Sequence, residues 1–125
     1  MFTHIMVGAN DLDKARQFYD ATLGALGIAP AAPGDRLFYA NETGAFGIGK
    51  PFDGKEASSA NGGTVGFKAD NQSQVDAFHA AGLANGGTSD GEPGLRPNAP
   101  GKSYGAYLRD PDGNKICSFC QLADG

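Results

Sequence analysis

His4-Ile5-Met6-Val7-Gly8-Ala9-Asn10 and Thr64-Val65-Gly66-Phe67-Lys68-Ala69-Asp70 superpose when the chain is slid by 60 positions. The same shift lays Ala15, Phe18 and Leu23 on Val75, Phe78 and Leu83. Internal similarity of this kind implies a duplicated unit. Within each copy the apolar residues alternate: Ile5 and Val7 share one face, as do Val65, Phe67 and Ala69, while His4 and Met6 point the other way. Each copy therefore opens on a strand. Asn10 and Asp11, then Asp70 and Asn71, are capping residues that predict a helix start. Leu12, Ala15, Phe18, Tyr19, Thr22, Leu23 and Leu26 follow at three- and four-residue steps, a stripe that packs on a sheet. Val75, Phe78 and Leu83 do the same in the second copy, and Gly24, Gly27 and Gly86-Gly87 close the two helices.

Beyond each helix the pattern returns to strands. Arg36–Ala40 and Ala45–Ile48 flank Asn41-Glu42-Thr43-Gly44, and Tyr104–Leu108 and Lys115–Phe119 flank Asp110-Pro111-Asp112-Gly113. In the second turn Pro111 sets φ and Gly113 accepts the positive φ that closes it. The turns align at an offset of 69, which leaves about nine extra residues in the second copy. They fall in the Gly/Pro-rich stretch Gly91 to Lys102, expected to be an inserted loop. The resulting plan is one domain over 1–125, with a first module at about 1–50, a linker at 51–62 and a second module at about 63–122. A strand–helix–strand–strand–strand unit covers one sheet face with its own helix. Two units side by side can curl their uncovered faces into a shared trough.

Composition narrows the possible functions. The chain has 125 residues and a net charge of −4, with its ten cations scattered, so it lacks the basic stripe that nucleic acid requires. No window approaches the roughly 20 apolar residues of a membrane helix. Met1-Phe2-Thr3-His4 lacks the basic-then-apolar run of a secretion signal. Cys117 and Cys120 sit too close together to staple distant segments. A cytoplasmic location is expected.

Several residues carry chemical potential. His4, on a trough-facing strand position, admits three roles: metal ligand, general base, or packed and hydrogen-bonded histidine. Cys117 and Cys120, three apart on a strand, point to opposite faces, which argues against a redox or zinc pair. Cys117 is then the trough-facing thiol, and a nucleophile if His4 lies near it. Arg96, in the expected loop, suits a carboxylate or other anion, or is simply an exposed charge. Tyr39 and Tyr104 either line the trough or pack.

The opening His4–Val7, Asn10–Ala15, the Phe18-Tyr19 pair and Arg109-Asp110-Pro111-Asp112-Gly113-Asn114-Lys115-Ile116 together resemble the vicinal oxygen chelate superfamily. This is the group of glyoxalase I, bleomycin-resistance proteins and extradiol dioxygenases. The resemblance covers nearly the whole chain. It implies an α+β fold of two βαβββ modules, with a curled mixed β-sheet around a central cavity, and a homodimer. It also implies a divalent metal (Zn, Ni, Mn or Fe), held by His and Glu from the first and last strands of each module and acting as a Lewis acid. Carried over residue by residue, the first-strand ligand matches His4 and its repeat is Thr64. The last-strand position is Cys117, with its counterpart at about Ile48. One customary ligand of four remains, with Cys117 as a possible second, so any metal would be weakly held. The expected function is a glyoxalase/bleomycin-resistance-like protein that binds a small organic molecule in the cavity, with His4 and Cys117 as the catalytic and metal candidates. Tyr39, Thr64, Arg96 and Tyr104 are the candidate substrate contacts. The alternatives are a divalent-metal-dependent lyase or dioxygenase, and a non-catalytic interaction module.

Overall fold

The computed structural model describes residues 1–31, 36–98 and 101–122. The first module runs β1 (His4–Gly8), α1 (Leu12–Gly24), β2 (Leu37–Asn41) and β3 (Gly44–Gly49). The second runs β4 (Val65–Lys68), α2 (Gln72–Ala84), β5 (Thr88–Leu95), β6 (Ser103–Arg109) and β7 (Lys115–Gln121). Sheet A has the order β1-β3-β2 and sheet B the order β4-β7-β6-β5. In both, the first strand lies parallel to the last and the remaining neighbours are antiparallel. Among the described residues no ladder joins the sheets, and β1 and β4 are edge strands. Among the described residues no helix is long and apolar enough to cross a membrane.

The caps act as their residue types dictate. Asp11 accepts from the N–H groups of Asp13 and Lys14, and Asn71 accepts from that of Gln74. The α1 stripe buries Ala15, Phe18, Tyr19, Thr22 and Leu23. Together with Val75 and Phe78 of α2 they meet the inward faces of both sheets in one core, which holds Tyr39, Phe46, Ile48, Leu108 and Ile116. Phe46 meets Phe67 edge to face at 5.0 Å, so the two modules share this core.

Two details depart from the sequence reading. The stretch from Gly91 onward begins as strand: β5 extends to Leu95, with register shifts between Ser89 and Gly94. β5 is an edge strand, where Pro93 and bulges are tolerated, so a turn-rich composition concealed it. In the first module, among the described residues, the matching stretch forms a bridge between Pro30 and Tyr39.

Candidate functional site

Each sheet has a face turned away from the helices. On sheet B the pairing register sets that face out in rows. The first holds Lys115 and Arg109, paired across β7 and β6, with Thr64 just before β4. The second holds Gly66, Cys117, Tyr107 and Gly91. The third holds Lys68, Phe119, Gly105 and Gly94. Neighbouring side chains lie over the glycines of this face. A Cβ on Gly105 would lie 2.5 Å from the Phe119 ring, and one on Gly91 would lie 3.0 Å from Tyr107. Tyr107 and Phe119 meet edge to face at 5.6 Å. On the matching face of sheet A, Met6, Gly47 and Phe38 form an apolar row.

The register also corrects one assignment. Phe46 pairs with Ile5 as Ile116 pairs with Val65, so the first-module counterpart of Cys117 is Gly47, and Ile48 matches Ser118. The turns differ in length: Asn41 pairs with Gly44, whereas Arg109 pairs with Lys115. Aligning the turns by residue type therefore slips the last strand by one position, which exchanges its faces.

The candidate residues are placed unequally. His4 is exposed on β1, its Nδ1 2.9 Å from Thr3 Oγ1. It stands at the rim of a cavity of about 320 Å³ at the seam between the modules, which Tyr39, Phe46 and Phe67 also line. Cys117 is buried on the sheet B face and is not among that cavity's lining residues. Burial pushes its thiol up to about 11, against a small lowering by Lys115, so it is protonated near neutral pH. Nucleophilic use needs the thiolate. Cys120 lies on the opposite face, in the shared core. Tyr39 is buried and its hydroxyl donates to Asp20 at 2.5 Å; Tyr104 packs toward the core and donates to Asp76 of α2 at 2.6 Å. Burial chiefly raises the Tyr39 hydroxyl, and the bond to Asp76 chiefly raises that of Tyr104. Thr64 is exposed beside Lys115 in a polar pocket of about 400 Å³. Arg96 follows β5 directly, its guanidinium donating to the Glu92 and Leu95 carbonyls and resting 5.6 Å from the Tyr107 ring centre.

Two side chains that composition does not mark out organise the region. The buried Asp110 carboxylate accepts from Tyr19 Oη (2.6 Å), from the backbone N–H of Asp112 and Asn114, and from Asn114 Nδ2. Asn114 Nδ2 also donates to the Gly8 carbonyl, tying the β6–β7 turn to the end of β1. Asp110, Asp112 and Asn114 all stood in the motif that carried the resemblance. His79 is structural: its Nε2 lies 2.8 Å from Ser89 Oγ, linking α2 to β5.

Whether a divalent cation fits follows from the donors. At the four positions implied by the resemblance stand His4, the neutral Thr64 hydroxyl, the protonated Cys117 thiol and, by register, Gly47. Among the described residues no group of three or more His, Cys, Asp and Glu is placed to hold a metal ion. Within one chain this set does not fit a tightly held divalent metal.

The geometry can be set beside known proteins. The family model for the glyoxalase/bleomycin resistance protein/dioxygenase superfamily matches residues 1–118. A glyoxalase/bleomycin resistance protein from Albidiferax ferrireducens T118 is 55% identical, with a TM-score of 0.92, covering 97% of this chain and 99% of that one. A glyoxalase-related enzyme from Fulvimarina pelagi is 18% identical, with a TM-score of 0.76 over 97% of this chain and 88% of its own. Lactoylglutathione lyase from Agrobacterium tumefaciens is 22% identical, with a TM-score of 0.65 over 96% and 92%. The last two share the fold alone with this chain. No curated protein matches it.

Proposed function

Because the chain belongs to the glyoxalase/bleomycin resistance protein/dioxygenase superfamily, we propose that it binds a small organic molecule against the open face of sheet B, holds no divalent metal tightly, and works as a homodimer. One observation carries this reading. The face keeps an aromatic floor, with the Tyr107 and Phe119 rings laid over Gly91 and Gly105, while the positions that should grip a cation hold Thr64, Cys117 and Gly47. A small molecule needs concave apolar surface with a few fixed polar groups; a metal needs convergent deprotonated ligands. The aromatic floor supports the first, and the donor set speaks against the second. The unpaired outer edges of β1 and β4 and the uncovered sheet faces support a second copy as the element that closes the site.

Elemental analysis of untagged protein tests the proposal. Zn, Ni, Mn and Fe are expected well below one ion per chain, and aromatic small molecules are expected to raise the melting temperature. Near-stoichiometric metal that disappears in His4→Ala would overturn the metal-free reading in favour of a metal-dependent lyase or dioxygenase.

A further inference from the structure

The chain is acidic overall, yet one end of the sheet B face is basic. Lys115 Nζ lies 4.9 Å from the centre of the Tyr107 ring and 3.5 Å from Asp90 Oδ2. Arg109 Nε donates to the same Asp90 oxygen at 2.9 Å, and its NH1 donates to the Gly113 carbonyl at 3.0 Å. Arg96 also lies over the Tyr107 ring, 5.6 Å from its centre. Two cations thus flank one ring, and Asp90 is the carboxylate that bridges Lys115 to Arg109. They are not loose surface charges: the Lys115 side chain is 31% exposed and that of Arg109 is 39% exposed. Holding these side chains in place lowers the entropic cost of engaging a ligand.

Arg109 and Lys115 also line the 400 Å³ pocket, whose remaining wall is residues 59–64, from the end of the linker to Thr64 just before β4. Two residues further along β4, Gly66 opens a second hollow that reaches Phe119. Two residues of strand span about 7 Å, roughly the length of a benzoate-sized molecule. The cationic pocket at Thr64 and the hollow at Gly66 thus lie one row apart on the sheet, a separation that matches one ring and its acid group.

We propose that this face binds a small aromatic carboxylate, with its acid group between Lys115, Arg109 and Thr64 and its ring lying toward Gly66 in the next row. The inference rests on the small-molecule reading above and adds the ligand's charge and shape. Charge-assisted hydrogen bonds from a lysine and an arginine to one carboxylate are the strong kind, and a cationic ligand would meet repulsion here.

Isothermal titration of the full chain with benzoate, benzamide, benzylammonium and inorganic phosphate tests it. Benzoate is expected to bind at least about tenfold more tightly than benzamide, a difference of about 1.4 kcal/mol. Benzylammonium is expected not to bind, and added NaCl should weaken benzoate alone. Lys115→Gln should cut benzoate affinity by about tenfold or more and leave benzamide unchanged. Asp90→Asn, which removes the competing carboxylate, should tighten benzoate several-fold; a merely structural role for the cluster predicts no such gain. Unchanged melting temperatures exclude misfolding of either variant, and Arg109→Gln serves as a third reporter if one of them melts early. Equal binding of benzoate and benzamide, or indifference to Lys115→Gln, would overturn the anion assignment and leave the small-molecule reading standing. Phosphate displacing benzoate at equal affinity would overturn the aromatic half of the proposal. Binding of none of the four would remove both readings together.

Discussion

Tyr19 and Asp110 stand 91 positions apart and share a buried 2.6 Å hydrogen bond, which joins the first helix to the last hairpin. Burial first, and the Asp110 carboxylate second, hold the Tyr19 hydroxyl well above its ordinary range, so it stays a donor. Tyr19→Phe keeps the ring and removes the donor, leaving the carboxylate with its three amide partners. Chemical denaturation should show a loss of about 1–3 kcal/mol; no loss would mean that water replaces the hydroxyl. Cys117 gives a prediction in pH. Its thiol moves from an ordinary value near 9 to about 11 on folding. Below pH 9 it is protonated in both states and this contribution to stability is complete. Between pH 9 and 11 the unfolded chain ionises first, so stability falls with rising pH. Cys117→Ala should fall less steeply over that window, and alkylation of Cys117 in the native protein should be slow at neutral pH and quicken as pH rises. Local chemistry of this kind is partly legible from composition: the caps Asp11 and Asn71 depend on neighbours within three residues. The Asp110 hub is not, because its most distant partner is brought to it by the fold.

Helix α2 docks on β6 through Gly82, where a Cβ would come within 2.4 Å of Leu108 Cδ1. Alanine normally gains up to about 1 kcal/mol over glycine in a helix. Here Leu108 is fully buried and cannot retreat, so overpacking of about 1–3 kcal/mol should outweigh the gain. Gly82→Ala is therefore expected to lower the melting temperature, whereas the open-space Gly24→Ala on α1 should raise or preserve it. A rise for Gly82→Ala would mean that the helix can lift off the sheet. The helices, β1 and the hairpin strands were readable because their hydrophobic periods are long and regular. β5 was not: an edge strand needs neither alternation nor strong β formers once β6 supplies its hydrogen bonds, and its bulges break the period of two. The unequal turn lengths, by contrast, shifted the last strand by one residue and put Ile48 in place of Gly47 as the counterpart of Cys117.

Two sheets, each with one covered and one bare face, leave the molecule with unpaired edges at β1 and β4. The homodimer proposed above should run in light scattering at about twice the 12.8 kDa of one chain. Met6, 38% exposed on the bare face of sheet A, is the position to probe. Met6→Lys should move the population toward the smaller species if that face is covered by a second copy. A chain that is monomeric across the micromolar range removes this part of the proposal. Duplication, helix stripes and the inward-outward alternation of the strands come from residues close together in the chain, where steric period and hydrophobic burial act alone, and for that reason the α+β plan could be read before any coordinates. The composition of the binding face could not. Lys115, Arg109 and Thr64 become neighbours only through strand register, and register is set by turn length and by the burial of opposite faces, quantities that no single stretch of residues contains.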